Sequence, residues 1–283
     1  MLHVVIEKGE KALIFSEILK KIKIFTDSVI IQFHSEYMYI QGMDSSHVVI
    51  FELKLSSKWF DTYIITKENS YEFGINTIII SKILAVRDEN QYIRLLQDDN
   101  DQDKLSIDFI NTNEQTNINL NKQCSDDKSK PTNPNCYEKF FYIPLMDIDI
   151  EMFEIPPTEY DATLELESKN MKHLIDNFAL FDVSILDFTF NQNDISLKTS
   201  GIETNMTVNI LHEQMELYSI TENTDFTNSY NLNFMHKICQ FSKISKNVQI
   251  QQTKDRPLEF TYMIDDVNIF RFYMAPSISD DDM

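Results

Sequence analysis

The sequence predicts an α+β protein of two topologically similar domains, each with two helices against antiparallel sheet. Period-2 alternation dominates the 283 residues, in runs such as "VIIQFHSEYMYIQ", "HVVIFELKL", "KLSIDFI" and "LEFTYMI", as expected of strands buried on one face. Four segments break it with helical spacing: 8–25, 75–87, 168–181 and 229–246. The elements then recur in the same order. An offset of 157 residues pairs Ile14 with Met171, Ile18 with Ile175, Phe33 with Phe190, Ile40 with Leu197, Ile75 with Leu232 and Asn76 with Asn233, as in a duplication.

Taken in chain order, the first helix carries Ile14, Ile18, Ile22 and Phe25 on one stripe. Two alternating runs follow, separated by "GMDSSH" (42–47). Small and polar residues there predict a turn, although an exposed Met and His in it also suit the wall of a binding site. "INTIIISKILAVR" is the second helix, and "NQYIRLLQD" and "KLSIDFI" are strands. Residues 111–139, rich in Asn, Lys, Pro and Ser, read as a mobile inserted loop. "KFFYIPL" closes the first half. In the second, "ATLELES" leads to a helix with Met171, Ile175 and Phe178 on one stripe, then to the strands of "SILDFTFNQNDISLKT" and "NMTVNIL". The fourth helix and the runs "NVQIQQT", "LEFTYMI" and "NIFRFYM" complete it.

Composition narrows the function. With 42% hydrophobic residues the chain can fill a core, and no apolar run is long enough to span a bilayer. Neither a secretory leader nor an even cysteine set is visible: Cys124, Cys136 and Cys239 leave one over. A soluble protein of a reducing compartment is expected. Four glycines argue against a glycine-rich nucleotide fold. No phosphate-binding loop, Gly-x-Ser-x-Gly or His-Glu-x-x-His occurs. "DDNDQDKLSIDF" lacks the Gly and Glu of a calcium loop. No catalytic residue, cofactor or metal is expected, and a metal-dependent enzyme using the acidic clusters is a remote alternative.

The net charge of −20 argues against nucleic acid as an average, but its distribution does not. The four helical segments hold twelve Lys or Arg against Glu10, Glu17 and Asp176, a net +9. Gathered on one face, that charge could track a phosphate backbone while an acidic exterior limits stray binding.

"QGMDSSHV" (41–48) resembles the best-known motif of the eukaryotic and viral-type DNA sliding clamps, the proliferating cell nuclear antigen family. "FDTY" (60–63), "SKIL" (81–84), "DDNDQDKL" (98–105), "LMDIDIEMFEIPPTEY" (145–160) and "FYMAPSI" (272–278) also resemble clamp segments, in clamp order from end to end of the chain. The resemblance implies an N-terminal clamp domain over 1–144, a connecting loop over 145–160, and a C-terminal domain over 161–283 with an acidic tail. It implies a head-to-tail homotrimer closed around duplex DNA, with 138–145 and 204–211 as the mating sheet edges.

The resemblance also implies two sets of site residues. DNA-facing are Lys11, Lys20, Lys21, Lys23, Lys82, Arg87, Lys172, Lys237 and Lys243. A front-face pocket for partner peptides comprises Met43, His47, Val48, Phe153, Ile155 and Pro156, with Tyr160, Pro257, Tyr273, Ala275 and Pro276. Implied partners are double-stranded DNA, a DNA polymerase and other proteins with clamp-interaction peptides, a clamp loader and further copies of the chain, but no membrane. The implied location is the site of DNA replication: the nucleus, or for a virus the nucleus or a cytoplasmic replication factory. A subunit of a hetero-oligomeric checkpoint or viral ring is the alternative. Leu13, Ile14, Ala85 and Asp176 depart from the family pattern, standing where clamps usually carry basic residues.

Overall fold

The computed structural model describes residues 1–66, 70–98, 103–111, 136–148, 152–181, 183–201 and 204–277. Cys124, the body of the insertion and the acidic tail lie outside the described residues.

The first half runs β1 (Leu2–Ile6), α1 (Glu10–Lys21), β2 (Ser28–Phe33), β3 (Tyr37–Met43), β4 (Val49–Ser56), β5 (Thr62–Ile65), β6 (Tyr71–Asn76), α2 (Thr77–Ala85), β7 (Tyr92–Gln97), β8 (Lys104–Ile110) and β9 (Lys139–Pro144). The second half repeats that order: β10 (Ala162–Glu167), α3 (Ser168–Phe178), β11 (Ile185–Phe190), β12 (Asp194–Ser200), β13 (Asn205–Leu211), β14 (Leu217–Ile220), β15 (Phe226–Asn231), α4 (Leu232–Cys239), β16 (Asn247–Gln252), β17 (Leu258–Met263) and β18 (Ile269–Met274).

The offset is not constant. β2 and β11 begin 157 residues apart, at Ser28 and Ile185, whereas α2 and α4 begin 155 apart, at Thr77 and Leu232. Each of those helices is capped by the asparagine before it: Asn76 Oδ1 accepts from the amides of Ile78 and Ile79, and Asn231 Oδ1 from those of Asn233 and Phe234. Asn76 therefore corresponds to Asn231, not Asn233, and Ile75 to Tyr230. The intervening strands and turns absorbed the two residues, since their lengths are weakly constrained.

Among the described residues, three antiparallel sheets carry the fold. A nine-stranded sheet in the order β14-β10-β16-β17-β18-β4-β3-β2-β6 spans both halves, joined by the β4–β18 ladder from Val49–Met274 to Lys54–Ile269. β5-β1-β7-β8-β9 belongs to the first half, and β13-β12-β11-β15 to the second.

The four helices form one layer. Ser81 of α2 donates to the Lys20 carbonyl of α1 at 2.9 Å. Lys21 donates to the Gln240 carbonyl at the end of α4 at 2.7 Å, and His236 of α4 meets Asp176 of α3 at 3.3 Å. Their order is thus α2, α1, α4, α3. Phe25, just past α1, stacks on Phe241 just past α4 at 6.3 Å, and lies 5.8 Å from Phe51 of β4 and 5.5 Å from Phe272 of β18. This aromatic cluster seats the layer on the inner face of the central strands. Gly42 is required beneath it, because a Cβ there would come within 2.5 Å of the Phe51 ring.

The neck of the insertion is a polar clasp. Gln91 Nε2 donates to Asn111 Oδ1 at 3.1 Å and to the Tyr137 carbonyl at 2.8 Å. Asn111 Nδ2 donates to the Cys136 carbonyl at 3.0 Å, and Lys139 pairs with Asp88 at 2.5 Å. With both ends held by buried Gln91, replacing 112–135 by a short Gly-Ser link is expected to shift Tm by less than about 3 °C, since loop length enters closure entropy only logarithmically. A fall above about 10 °C in a calorimetric scan would mean that the insertion packs on the domain.

Candidate functional site

The "MDSSH" turn joins β3 to β4 and is organised by one buried carboxylate. Asp44 accepts from the amides of Ser46 (2.7 Å), Val48 (2.8 Å) and Val49 (2.6 Å). His47 takes the left-handed position, φ 58°, with its ring exposed, a conformation to which histidine is better suited than β-branched residues. The turn is thereby fixed at the end of the β4–β18 joint, where the Ala275 amide donates to the Val48 carbonyl at 2.9 Å.

Strand register then lays out the outer face. Met43, Ile50, Tyr273 and Glu259 form one row across β3, β4, β18 and β17. Gln41, Glu52, Arg271 and Thr261 form the next. Pro257 precedes Leu258, which pairs with Met274, so it lies beside Ala275. Met43, Val48, Pro257, Tyr273, Ala275 and Pro276 thus meet at one end of the sheet, and the Ser277 amide ties the tail to the Ser229 carbonyl at 2.8 Å.

The connecting loop straps this face. Its start is bonded to the edge of β6, where the Met146 amide donates to the Gly74 carbonyl at 2.8 Å. Gly74 permits that approach, since a Cβ would stand 2.2 Å from the Met146 carbonyl oxygen. The Gln41 amide then grips the loop twice, accepting from Phe153 N at 2.7 Å and donating to Phe153 O at 3.0 Å. The far end is fixed by the Tyr160 hydroxyl donating to Glu259 at 2.7 Å. Burial, then that hydrogen bond, pushes the Tyr160 hydroxyl pKa upward. Burial also pushes that of Tyr273 up to about 12, so both stay protonated donors. Ile155 and Pro156 lie between the anchors, and Phe153 is 39% exposed: a tethered irregular segment beside an apolar strand-end patch, suited to hold a short peptide.

Sequence reasoning missed Gln41, Ile50, Glu52, Glu259 and Arg271. Alternation could have found Gln41, two residues before Met43 on the same face. Ile50 and the charged residues needed the register.

On the opposite face of these strands lies the helical layer. Lys23, Lys82 and Lys243 are exposed on it. Lys20 and Lys21 pair with Glu17 at 3.0 and 2.8 Å. Burial would raise the Glu17 pKa, but hydrogen bonds from both lysines more than offset it and hold the carboxyl low. Lys172 pairs with Asp176, its neighbour one turn on. Lys237 lies over the Phe234 ring at 4.8 Å, and Lys11 over Trp59 at 5.9 Å. Arg87 is turned into its own loop, donating to Ser16 Oγ and to the carbonyls of Asp88, Glu89 and Gln91. The departures Leu13 and Ala85 share a groove of about 490 Å³ with Lys20 and Lys243 between the helices.

Both expected edges are terminal strands. β9 ends the five-stranded sheet with Tyr142 71% exposed, and β13 ends the four-stranded sheet with Leu211 52% exposed. Among the described residues no strand pairs with the outer side of either, and an unpaired edge is a template for a strand from another chain.

A duplicated domain pair with a helical layer on one face, a strapped sheet on the other and open edges defines a DNA-clamp subunit. The family models for the N-terminal and C-terminal domains of proliferating cell nuclear antigen match residues 4–128 and 154–277. A similar protein, the "Proliferating cell nuclear antigen" of Chaetomium thermophilum, is 23% identical over 278 residues, covering 96% of this chain and 98% of its own length. The chain belongs to the proliferating cell nuclear antigen family.

Proposed function

We propose that the chain is a DNA polymerase processivity factor: a ring-shaped sliding clamp that encircles duplex DNA without reading its sequence and tethers replication and repair proteins through the strapped outer face. The observation that carries this reading is the placement of the lysine-bearing layer and the peptide-type site on opposite faces of the same four strands. One face can hold DNA while the other holds partners. The chain performs no chemistry itself in this reading. Three copies close head to tail, the β9 edge of each pairing with the β13 edge of the next, as a heterologous interface whose rotation closes. A clamp loader opens the ring, and the protein acts at replication sites, in the nucleus or in a cytoplasmic viral factory. The domains are 1–144 and 161–283, with 145–160 as the strap.

Light scattering tests it. The 33.3 kDa chain is expected to elute at three times its mass and, after loading, to stay on nicked circular DNA but run off once the circle is cut. A monomer at micromolar concentration, or equal retention on cut DNA, would overturn the ring.

A further inference from the structure

Two anchors of the strap, those at Phe153 and Tyr160, are joined by a chain of side chains that crosses the joint between the halves. Gln41, which grips Phe153, donates to the Tyr39 hydroxyl at 3.0 Å. Tyr39 donates to Glu52 Oε2 at 2.9 Å. Arg271 donates to Glu52 Oε1 at 3.2 Å through Nη1 and to Glu259 Oε1 at 2.9 Å through Nε. Glu259 accepts from Tyr160, the far anchor, on its other oxygen at 2.7 Å. Arg271 also reaches the hydroxyls of Thr261 and Tyr273, at 3.1 Å each. It touches no residue of the strap in any of these bonds. Glu52 comes from the first half, Glu259 and Arg271 from the second.

Glu52 on β4 and Glu259 on β17 flank β18, which carries Arg271. Two such carboxylates repel unless a cation lies between them, and a planar guanidinium can serve both at once where an ammonium serves as a point charge. Each acid has one oxygen on Arg271 and the other on a tyrosine that leads to the strap. Without the guanidinium, the acids separate and draw Tyr39 and Tyr160 with them.

We propose that Arg271 is the positioning residue of the partner-peptide site, setting both anchors of the 152–160 strap from beneath through Glu52 and Glu259. The proposal rests on the peptide-site reading above and adds to it that the anchors at Phe153 and Tyr160 are loosened together. A peptide held against the strap then dissociates at a rate set by an arginine it never meets.

Hydrogen exchange on the intact chain, with binding of a labelled peptide bearing one aliphatic and two aromatic anchors, tests this. In Arg271→Met the Phe153 amide is expected to exchange about tenfold faster, the change that a lost charged hydrogen bond brings. Peptide dissociation should quicken by a similar factor, and amides of the β4–β18 ladder should hold. Arg271→Lys, which keeps the charge but not the fork, should fall between parent and Met. Tyr160→Phe, a milder change, should speed dissociation with Arg271 in place. Unchanged Phe153 exchange, or a uniform rise through β4 and β18, would overturn the proposal, the latter by showing that Arg271 only stabilises the sheet. If the parent binds no peptide, the peptide-site reading fails, and Phe153 exchange still decides whether Arg271 sets the strap.

Discussion

Changing Lys20, Lys82 and Lys237 together to Glu is expected to lower retention on circular DNA and polymerase stimulation at least tenfold, with what retention remains depending less steeply on salt than the parent's. Each lysine that neutralises a phosphate contributes about 0.9 to the slope of log affinity against log salt, and reversal adds repulsion to that loss. The three sit on α1, α2 and α4, so the change spans the layer. At Lys20 the new carboxylate would stand beside Glu17, its present partner at 3.0 Å. The fold should survive, since exposed pairs of this kind contribute only about 0–1 kcal/mol each. Peptide binding on the opposite face should not change. A variant that slides and stimulates as well as its parent would show that the helices do not face DNA. A sliding ring needs phosphate contacts rather than base contacts, because base contacts would stall it at preferred sites.

Truncating Ile155 and Tyr273 together to Ala should weaken peptide binding by more than tenfold, with circular dichroism unchanged. Ile155 lies on the strap between its anchors, and Tyr273 stands in the Met43 row of the sheet beneath. Removing two such side chains costs roughly 2–4 kcal/mol when they are interface anchors. Tyr273 also donates to Glu52 at 3.3 Å, so Tyr273→Phe separates its ring from its hydroxyl: the ring should account for most of the loss. Unchanged affinity of the double variant in a fluorescence titration would remove the strapped face as the peptide site.

The order of elements was legible in the sequence because burial alternates so regularly: β2 places Val29, Ile31 and Phe33 inward, and α3 buries Met171, Ile175 and Phe178. The helix starts were less so. The apolar run 75–87 reads as one helix, yet Ile75 and Asn76 finish β6, and the Asn76 cap rather than hydrophobicity sets the boundary. The turn and strap were visible as the motifs "QGMDSSHV" and "LMDIDIEMFEIPPTEY", though not the grip of Gln41 on Phe153. What joins them was not. Glu52, Glu259 and Arg271 look like ordinary surface charges in three separate strands, and only the register of β4, β18 and β17 makes them one network. Likewise, counting lysines located the basic layer, but Arg87 is counted with them although its guanidinium is spent on its own loop.

Because β4 and β18 ladder together from Val49–Met274 to Lys54–Ile269 over a shared aromatic core, the two halves of a chain form one stiff unit. Bending it would break backbone rungs and expose Phe51 and Phe272 to water at once. In the ring proposed above, a joint between chains rests on single strands, β9 against β13. In a ring of such units the soft places would be the joints between chains. In that reading DNA enters by parting one of them, as a bracelet of rigid links opens at a clasp, and the strapped faces pass through that opening undistorted.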